Sequence, residues 1–209
     1  MKLKTLAICA ALIAIAACSN EKTKSESNTE SEVKAETYTM PDSATAMKKW
    51  QEYATPGKEH EWMAKSAGTW HTEITMWHYP GAPAETVTGT TQNEMIFGGR
   101  YQVSTHTAMM MGMPFEGRST LAYDNMKKTY ISTWIDNMGT GMMVSEGKWD
   151  DASKTITLTG KMVDPTIDKE TSVREVFKPV DDNTQTFEMY RPGPDGKEYK
   201  CMEIKYTRK

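Results

Sequence analysis

From residue 69 to the C-terminus the chain is broken at short, regular intervals by turn signals, and this punctuation constrains the fold more than any other feature. The signals are Pro80-Gly81, Gly98-Gly99, Gly112-Met113-Pro114, Asp124-Asn125, Asn137-Met138-Gly139, Asp150-Asp151, Asp164-Pro165, Asp181-Asp182-Asn183 and Gly193-Pro194-Asp195-Gly196. Between them β-branched and aromatic residues alternate with polar ones, the pattern of half-buried strands. Ten strands are expected, near residues 69–79, 85–97, 100–110, 115–123 and 128–136, then 141–149, 154–163, 170–178, 184–190 and 198–208. The links are too short for crossover helices, so consecutive strands should pair antiparallel. A meander of this length removes its exposed edges by closing, which predicts an all-β, single antiparallel up-and-down β-barrel of about ten strands. A β-sandwich is the alternative.

The N-terminal part reads differently. Lys2 and Lys4, the apolar run Leu6 to Ile15 and the small residues before Cys18 have the layout of a secretory signal. A cysteine in that place resembles the lipobox of bacterial lipoproteins, which implies cleavage after residue 17 and acylation of Cys18. The run is far short of the ~20 apolar residues that span hydrocarbon. Residues 18–45 are rich in Ser, Glu, Lys and Thr and are expected to form an unstructured tether, because they offer too little apolar surface to offset the entropy of ordering. The expected partner is therefore the lipid bilayer, through acylated Cys18, and the expected location is the bacterial cell envelope, at the outer membrane. Residues 46–209 form the barrel domain. Within it, Lys58 to Ala67 reads as a short helix ended by Gly68 and closing one end of the barrel, and Ala44 to Tyr53 reads as a second helical piece.

Charge and cysteine content exclude several classes. The formal net charge is −3, and loss of Lys2 and Lys4 with the signal takes it to −5, with basic and acidic residues interleaved. That is no footprint for nucleic acid. Of three cysteines, Cys9 leaves with the signal and Cys18 is acylated, so Cys201 has no internal disulfide partner. Stability must come from an ordinary core, for which about 160 residues suffice.

Gly68-Thr69-Trp70, directly after the short helix, is similar to the Gly-x-Trp signature of lipocalins and other calycins. That resemblance implies that Trp70 closes the barrel floor and that a basic side chain of the last strand, Arg208 or Lys205, packs across it. With Gly98-Gly99-Arg100-Tyr101, Pro114-Phe115-Glu116-Gly117-Arg118, Tyr123-Asp124-Asn125, Trp134-Ile135-Asp136-Asn137-Met138-Gly139-Thr140-Gly141 and Met202-Glu203-Ile204-Lys205-Tyr206, residues 56–209 resemble the bacterial domain-of-unknown-function family 1579. The resemblance implies a calycin-like barrel and brings no established activity. Some calycins hold haem through a histidine late in the chain, and no histidine follows His106, so no cofactor is expected.

Alternation groups candidate residues by face and leaves open which face is inner. Trp70 shares a face with Thr72, Ile74, Met76 and His78; Trp134 with Tyr130, Ser132 and Asp136; Arg118 with Glu116 and Thr120; Glu188 with Tyr190. An interior of aromatics with Arg, Glu and Tyr suits a small hydrophobic, amphipathic or anionic molecule. The lining expected is Trp70, His78, Met109, Met111, Arg118, Trp134, Met143 and Tyr190. Two methionine-rich turns, around Met109-Met110-Met111-Gly112-Met113 and Met138 to Met143, offer an alternative: soft thioethers select Cu(I), with His106, Met109, Met111, Met113, Met138, Met142 and Met143 as candidate ligands. Methionine also fills apolar gaps and adaptable binding surfaces. A filled barrel acting as a protein-interaction module is a further alternative. Nucleophile elbows, phosphate loops, zinc-binding His-Glu-x-x-His and paired cysteines are absent from the sequence, which favours binding over catalysis and assigns no catalytic residue.

Overall fold

The computed structural model describes residues 37–209. The basic start, the apolar run, Cys18 and most of the expected tether lie outside the described residues. Two helices come first. α1 (Ser43–Ala54) starts ahead of the boundary expected at residue 46. The Asp42 carboxylate caps it, accepting from the backbone N–H groups of Ala44 and Thr45, each at 3.0 Å. α1 carries no buried residue, whereas α2 (Lys58–Lys65) buries His60 and Met63. Among the described residues no helix is long and apolar enough to cross a membrane.

Ten strands follow: β1 (Gly68–Met76), β2 (Glu85–Ile96), β3 (Tyr101–Met110), β4 (Met113–Asp124), β5 (Thr129–Asp136), β6 (Met143–Asp150), β7 (Thr155–Asp164), β8 (Lys169–Asp181), β9 (Thr184–Pro192) and β10 (Glu198–Arg208). Each pairs antiparallel with its chain neighbours and β10 returns to β1, so the sheet closes into an up-and-down barrel without an edge. β1 stops at Met76, short of the expected residue 79. Its partner β10 bulges at Cys201, between Lys200 and Met202, and Trp77 makes one last bond, N–H to Cys201 O at 2.9 Å.

The two ends of the barrel differ. Met63, Tyr130, Ile156 and Leu158 form the buried core of one end, backed by Trp62, Tyr123, Trp149 and Phe177. Trp62 from α2 meets Tyr130, Trp149 and Phe177 edge-on, at ring separations of 6.0, 5.6 and 5.8 Å. α2 is thus a plug.

A helix end leaves carbonyls without partners, and the barrel supplies them. Gln102 Nε2 donates to Met63 O at 2.8 Å, while Trp70 Nε1 and Asn93 Nδ2 both donate to Ser66 O at 2.9 Å. Arg208 donates to Lys65 O at 2.7 Å and Ala67 O at 2.8 Å, and its guanidinium lies 4.2 Å over the Trp70 ring. Arg208 is therefore the basic residue of the floor, and Lys205 faces solvent.

Candidate functional site

Register fixes the inner face. Trp70, Thr72, Ile74 and Met76 point inward, and cross-strand pairing carries that face to Thr91, His106, Gly117 and Asp136 on β2 to β5, and to Tyr206, Ile204 and Met202 on β10. Trp134, Ser132 and Tyr130 are inner by the same count, opposite Met143, Ser145 and Gly147. On β8 and β9 the inner residues include Val173, Glu175, Phe187 and Met189.

Small inner residues leave room. Ser104 and Ser119 face each other across β3 and β4, as do Ser132 and Ser145 across β5 and β6. Gly117 lies under Trp134, where a Cβ would stand 2.5 Å from the indole. Gly160 lies under Ser145 in the same way, a Cβ there standing 2.5 Å from its hydroxyl. Above the sealed floor the inner Ser119, Ser132, Trp134, Met143, Met189, Met202 and Ile204 are half-buried rather than buried. The upper lumen is therefore not filled solid with side chains.

A ring of hydroxyl, imidazole and carboxyl groups divides lumen from floor. Thr91 Oγ1 lies 2.8 Å from His106 Nδ1. His106 faces Gly117, two residues before Ser119; Ser119 faces Trp134, two residues after Ser132; Ser132 faces Ser145. Ser145 faces Gly160, two residues after Leu158, which faces Glu175, and on the far side Tyr206 faces Thr72. Ser145 is 1% exposed and Glu175 5%. Ser145 Oγ, Glu175 Oε2 and His106 Nε2 are buried without a hydrogen-bond partner among the described residues. Such groups each cost about 1–3 kcal/mol until something satisfies them.

Burial governs the charge state of this ring. Loss of solvent pushes the His106 imidazole down to about 4, so it is neutral at physiological pH, and pushes the Glu175 carboxyl and the Tyr206 phenol up toward their uncharged forms.

The open end is rich in sulfur. Met76, Met162, Met189 and Met202, with Trp77 and Cys201, bound a cavity of about 180 Å³ inside the mouth. Burial raises the Cys201 thiol, which donates to Met189 O at 3.4 Å. Arg191 reaches the same space, paired with Asp164 at 3.0 Å and donating to His78 O. Both methionine-rich turns lie on this rim, with Met109, Met111, Met113, Met138 and Met142 all exposed.

The expected lining residues divide accordingly. Trp70 lies in the floor, Trp134 and Met143 face the lumen, and His78 stands at the rim with its side chain 3.3 Å from Glu85. Arg118 is corrected: it points outward beside Glu116, because the alternate face of β4 holds Phe115, Gly117 and Leu121. Tyr190 is also outward, donating to Glu188 Oε2 at 2.8 Å beneath the Arg174 guanidinium. Met109 and Met111 are rim rather than wall residues. His106 faces inward while Met109 faces outward on the same strand, so the copper alternative lacks its histidine on the methionine face. Among the described residues no group of three or more His, Cys, Asp or Glu has the spacing to hold a metal. Sequence reasoning grouped Ser132 with Trp134 and Met76 with Trp70 and expected Met143 in the lining, but missed Ser104, Ser119, Ser145, Glu175 and the other inner methionines; the signal available for most of these was the large apolar residue two positions away on the strand.

A closed antiparallel barrel floored by a Gly-x-Trp tryptophan under an arginine is a calycin-like fold. The chain belongs to the family of proteins of unknown function DUF1579, which matches residues 55–208. Its fold is similar to the crystal structure of Rv2717c from M. tuberculosis, at 11% identity and a TM-score of 0.56, covering 74% of this chain and 99% of that one. It is also similar to the S-type phycobiliprotein lyase CPES from Guillardia theta, at 11% identity and a TM-score of 0.53, covering 72% of this chain and 92% of that one. At such identities the likeness is one of fold. No curated protein matches the chain.

Proposed function

We propose that the protein binds a small apolar or amphipathic molecule in the upper lumen of its barrel. The observation that carries this reading is the contrast between a floor sealed by Trp62, Met63 and Trp70 and inner residues above it that stay half-buried. Apolar surface moved from water onto the methionine and tryptophan wall gains roughly 25 cal/mol per Å² before ordering costs. The exposed rim methionines give an entering ligand an adaptable apolar surface.

Nile red, an uncharged dye whose emission shifts in apolar surroundings, tests the reading on the full chain. Saturable binding with a blue shift is expected, and Ser132→Trp, which puts an indole into the lumen from a half-buried inner position, should abolish it without unfolding the barrel. Equal binding by that variant, or none by the wild type, overturns the reading.

Export and lipid anchoring belong to the same proposal. They rest on Lys2, Lys4, the apolar run and Cys18, and they place the barrel in the cell envelope beside a bilayer. Radiolabelled palmitate should enter the wild-type protein in producing cells and not Cys18→Ser, which should leave the membrane fraction; equal labelling of both would contradict acylation at that residue.

A further inference from the structure

The polar ring says which end of a ligand the lumen receives. Around it stand hydroxyls from Thr72, Ser132 and Ser145, the His106 imidazole, the Tyr206 phenol and the Glu175 carboxyl, and none of these groups has a side-chain ion partner among the described residues. Two of them, Ser145 and Glu175, are more than nine-tenths buried and carry polar atoms without partners aimed inward. Of the other inward charges, Arg208 lies below in the floor, committed to the carbonyls of Lys65 and Ala67, while toward the open end Arg191 pairs with Asp164 and Asp136 accepts from Trp134 Nε1 at 2.7 Å. Above the ring the wall is methionine and tryptophan.

Resting on the lumen reading above, we propose that this ring receives the uncharged polar end of an otherwise apolar ligand, a hydroxyl or carbonyl, and rejects carboxylates and ammonium groups. A hydroxyl both donates and accepts, so it can meet the orphaned oxygen of Ser145 or Glu175 in whichever role that group adopts. Among the described residues the ring itself offers a carboxylate no Lys or Arg and sets it against the Glu175 carboxyl, and the desolvation of a buried charge without a partner is not recovered. An ammonium group would require Glu175 to ionise in a place where burial favours its neutral form. The apolar body then lies toward the mouth, against Met76, Met189 and Met202.

The test is displacement of Nile red from the full chain by 1-dodecanol, dodecanoate and dodecylammonium, which share a chain length and differ in the head. The alcohol should displace the dye at a concentration lower by about tenfold or more than either ion, since the penalty on an unpaired buried charge exceeds that on a neutral group. Glu175→Leu, which removes the polar group, should weaken the alcohol's potency by about tenfold, and Glu175→Gln, which supplies an uncharged donor and acceptor, should weaken it less; thermal unfolding verifies that both are folded. Equal potency of the three heads, or greater potency of either ion, overturns the inference while leaving the lumen reading intact. Failure of the dye and all three compounds to bind overturns both.

Discussion

Trp70→Ala is expected to destabilise the barrel by about 3–5 kcal/mol, the range for removing a large aromatic from a packed core. Trp70 is fully buried and does three things at once. Its ring fills the floor, its Nε1–H donates to Ser66 O at the end of α2, and its face carries the Arg208 guanidinium at 4.2 Å. Truncation leaves a cavity, a helix carbonyl with only one of its two donors, Asn93, and a guanidinium without its aromatic platform. In a domain of this size each kcal/mol moves the midpoint by about 2–4 °C, so thermal unfolding should fall by roughly 10 °C. Arg208→Lys keeps the charge and loses the fork that reaches both Lys65 O and Ala67 O, so it should cost a smaller but measurable part of the same stability. A Trp70→Ala loss under about 1 kcal/mol in urea unfolding would show that the floor is not built this way.

Acid should unfold the protein through His106. Burial holds its imidazole down to about 4, against 6.5 for a solvated histidine. As pH falls below 6.5 the unfolded chain takes up the proton and the folded chain does not, so stability declines across the window from about 6.5 to about 4. The loss over that window is about 3 kcal/mol. Glu175 acts in the opposite sense: its raised pKa means that stability is gained as pH falls back toward the ordinary carboxyl range. His60 is also lowered, by burial against Tyr123, and contributes in the same direction as His106. The difference between wild type and His106→Asn isolates the term, because the other two groups are common to both proteins. Urea midpoints measured from pH 7.5 to 4 should fall more steeply in the wild type, and parallel curves would contradict the burial of a neutral imidazole.

The strands were legible because the turn chemistry was. Gly98-Gly99, Asp124-Asn125 and Asp181-Asp182-Asn183 stand where hairpins turn, and alternation between them set the period. The floor was legible through Gly68-Thr69-Trp70, although choosing Arg208 over Lys205 needed the register of β10 against β1. The lumen was less legible, for a physical reason. Alternation determines which residues share a face, and a strand with a charged face and an apolar face reads the same whether the charge lines a cavity or meets solvent. On β4 the clue was Phe115 and Leu121 opposite Glu116 and Arg118; on β9 it was Phe187 and Met189 opposite Glu188 and Tyr190. Arg and Tyr look like ligand contacts, yet here they build an outer network of Arg174, Glu198, Tyr190, Glu188 and Lys200.

Apart from Ser132, which alternation grouped with Trp134, only Ser119 and Ser145 were marked, each by an apolar neighbour two positions away. Ser104, Ser119, Ser132 and Ser145 lie on four different strands, and only the registers of three hairpins make them neighbours. Asn93 and Gln102 are likewise ordinary polar strand residues until α2 folds across the barrel end and presents its carbonyls to them. The methionine-rich turns were conspicuous in sequence and lie at the rim, whereas the methionines of the wall, Met76, Met162, Met189 and Met202, are scattered singly, and alternation marked only Met76, by its face shared with Trp70.

Native mass spectrometry of the full protein purified from the cells that make it tests the central claim most directly, with intact masses compared before and after denaturation and beside the Ser132→Trp variant. A non-covalent organic mass that the wild type carries, that denaturation releases and that the variant lacks is the expected result, and its composition should be apolar with an uncharged polar end. A wild-type chain that flies bare, or a mass retained equally by the variant, would contradict binding in the lumen.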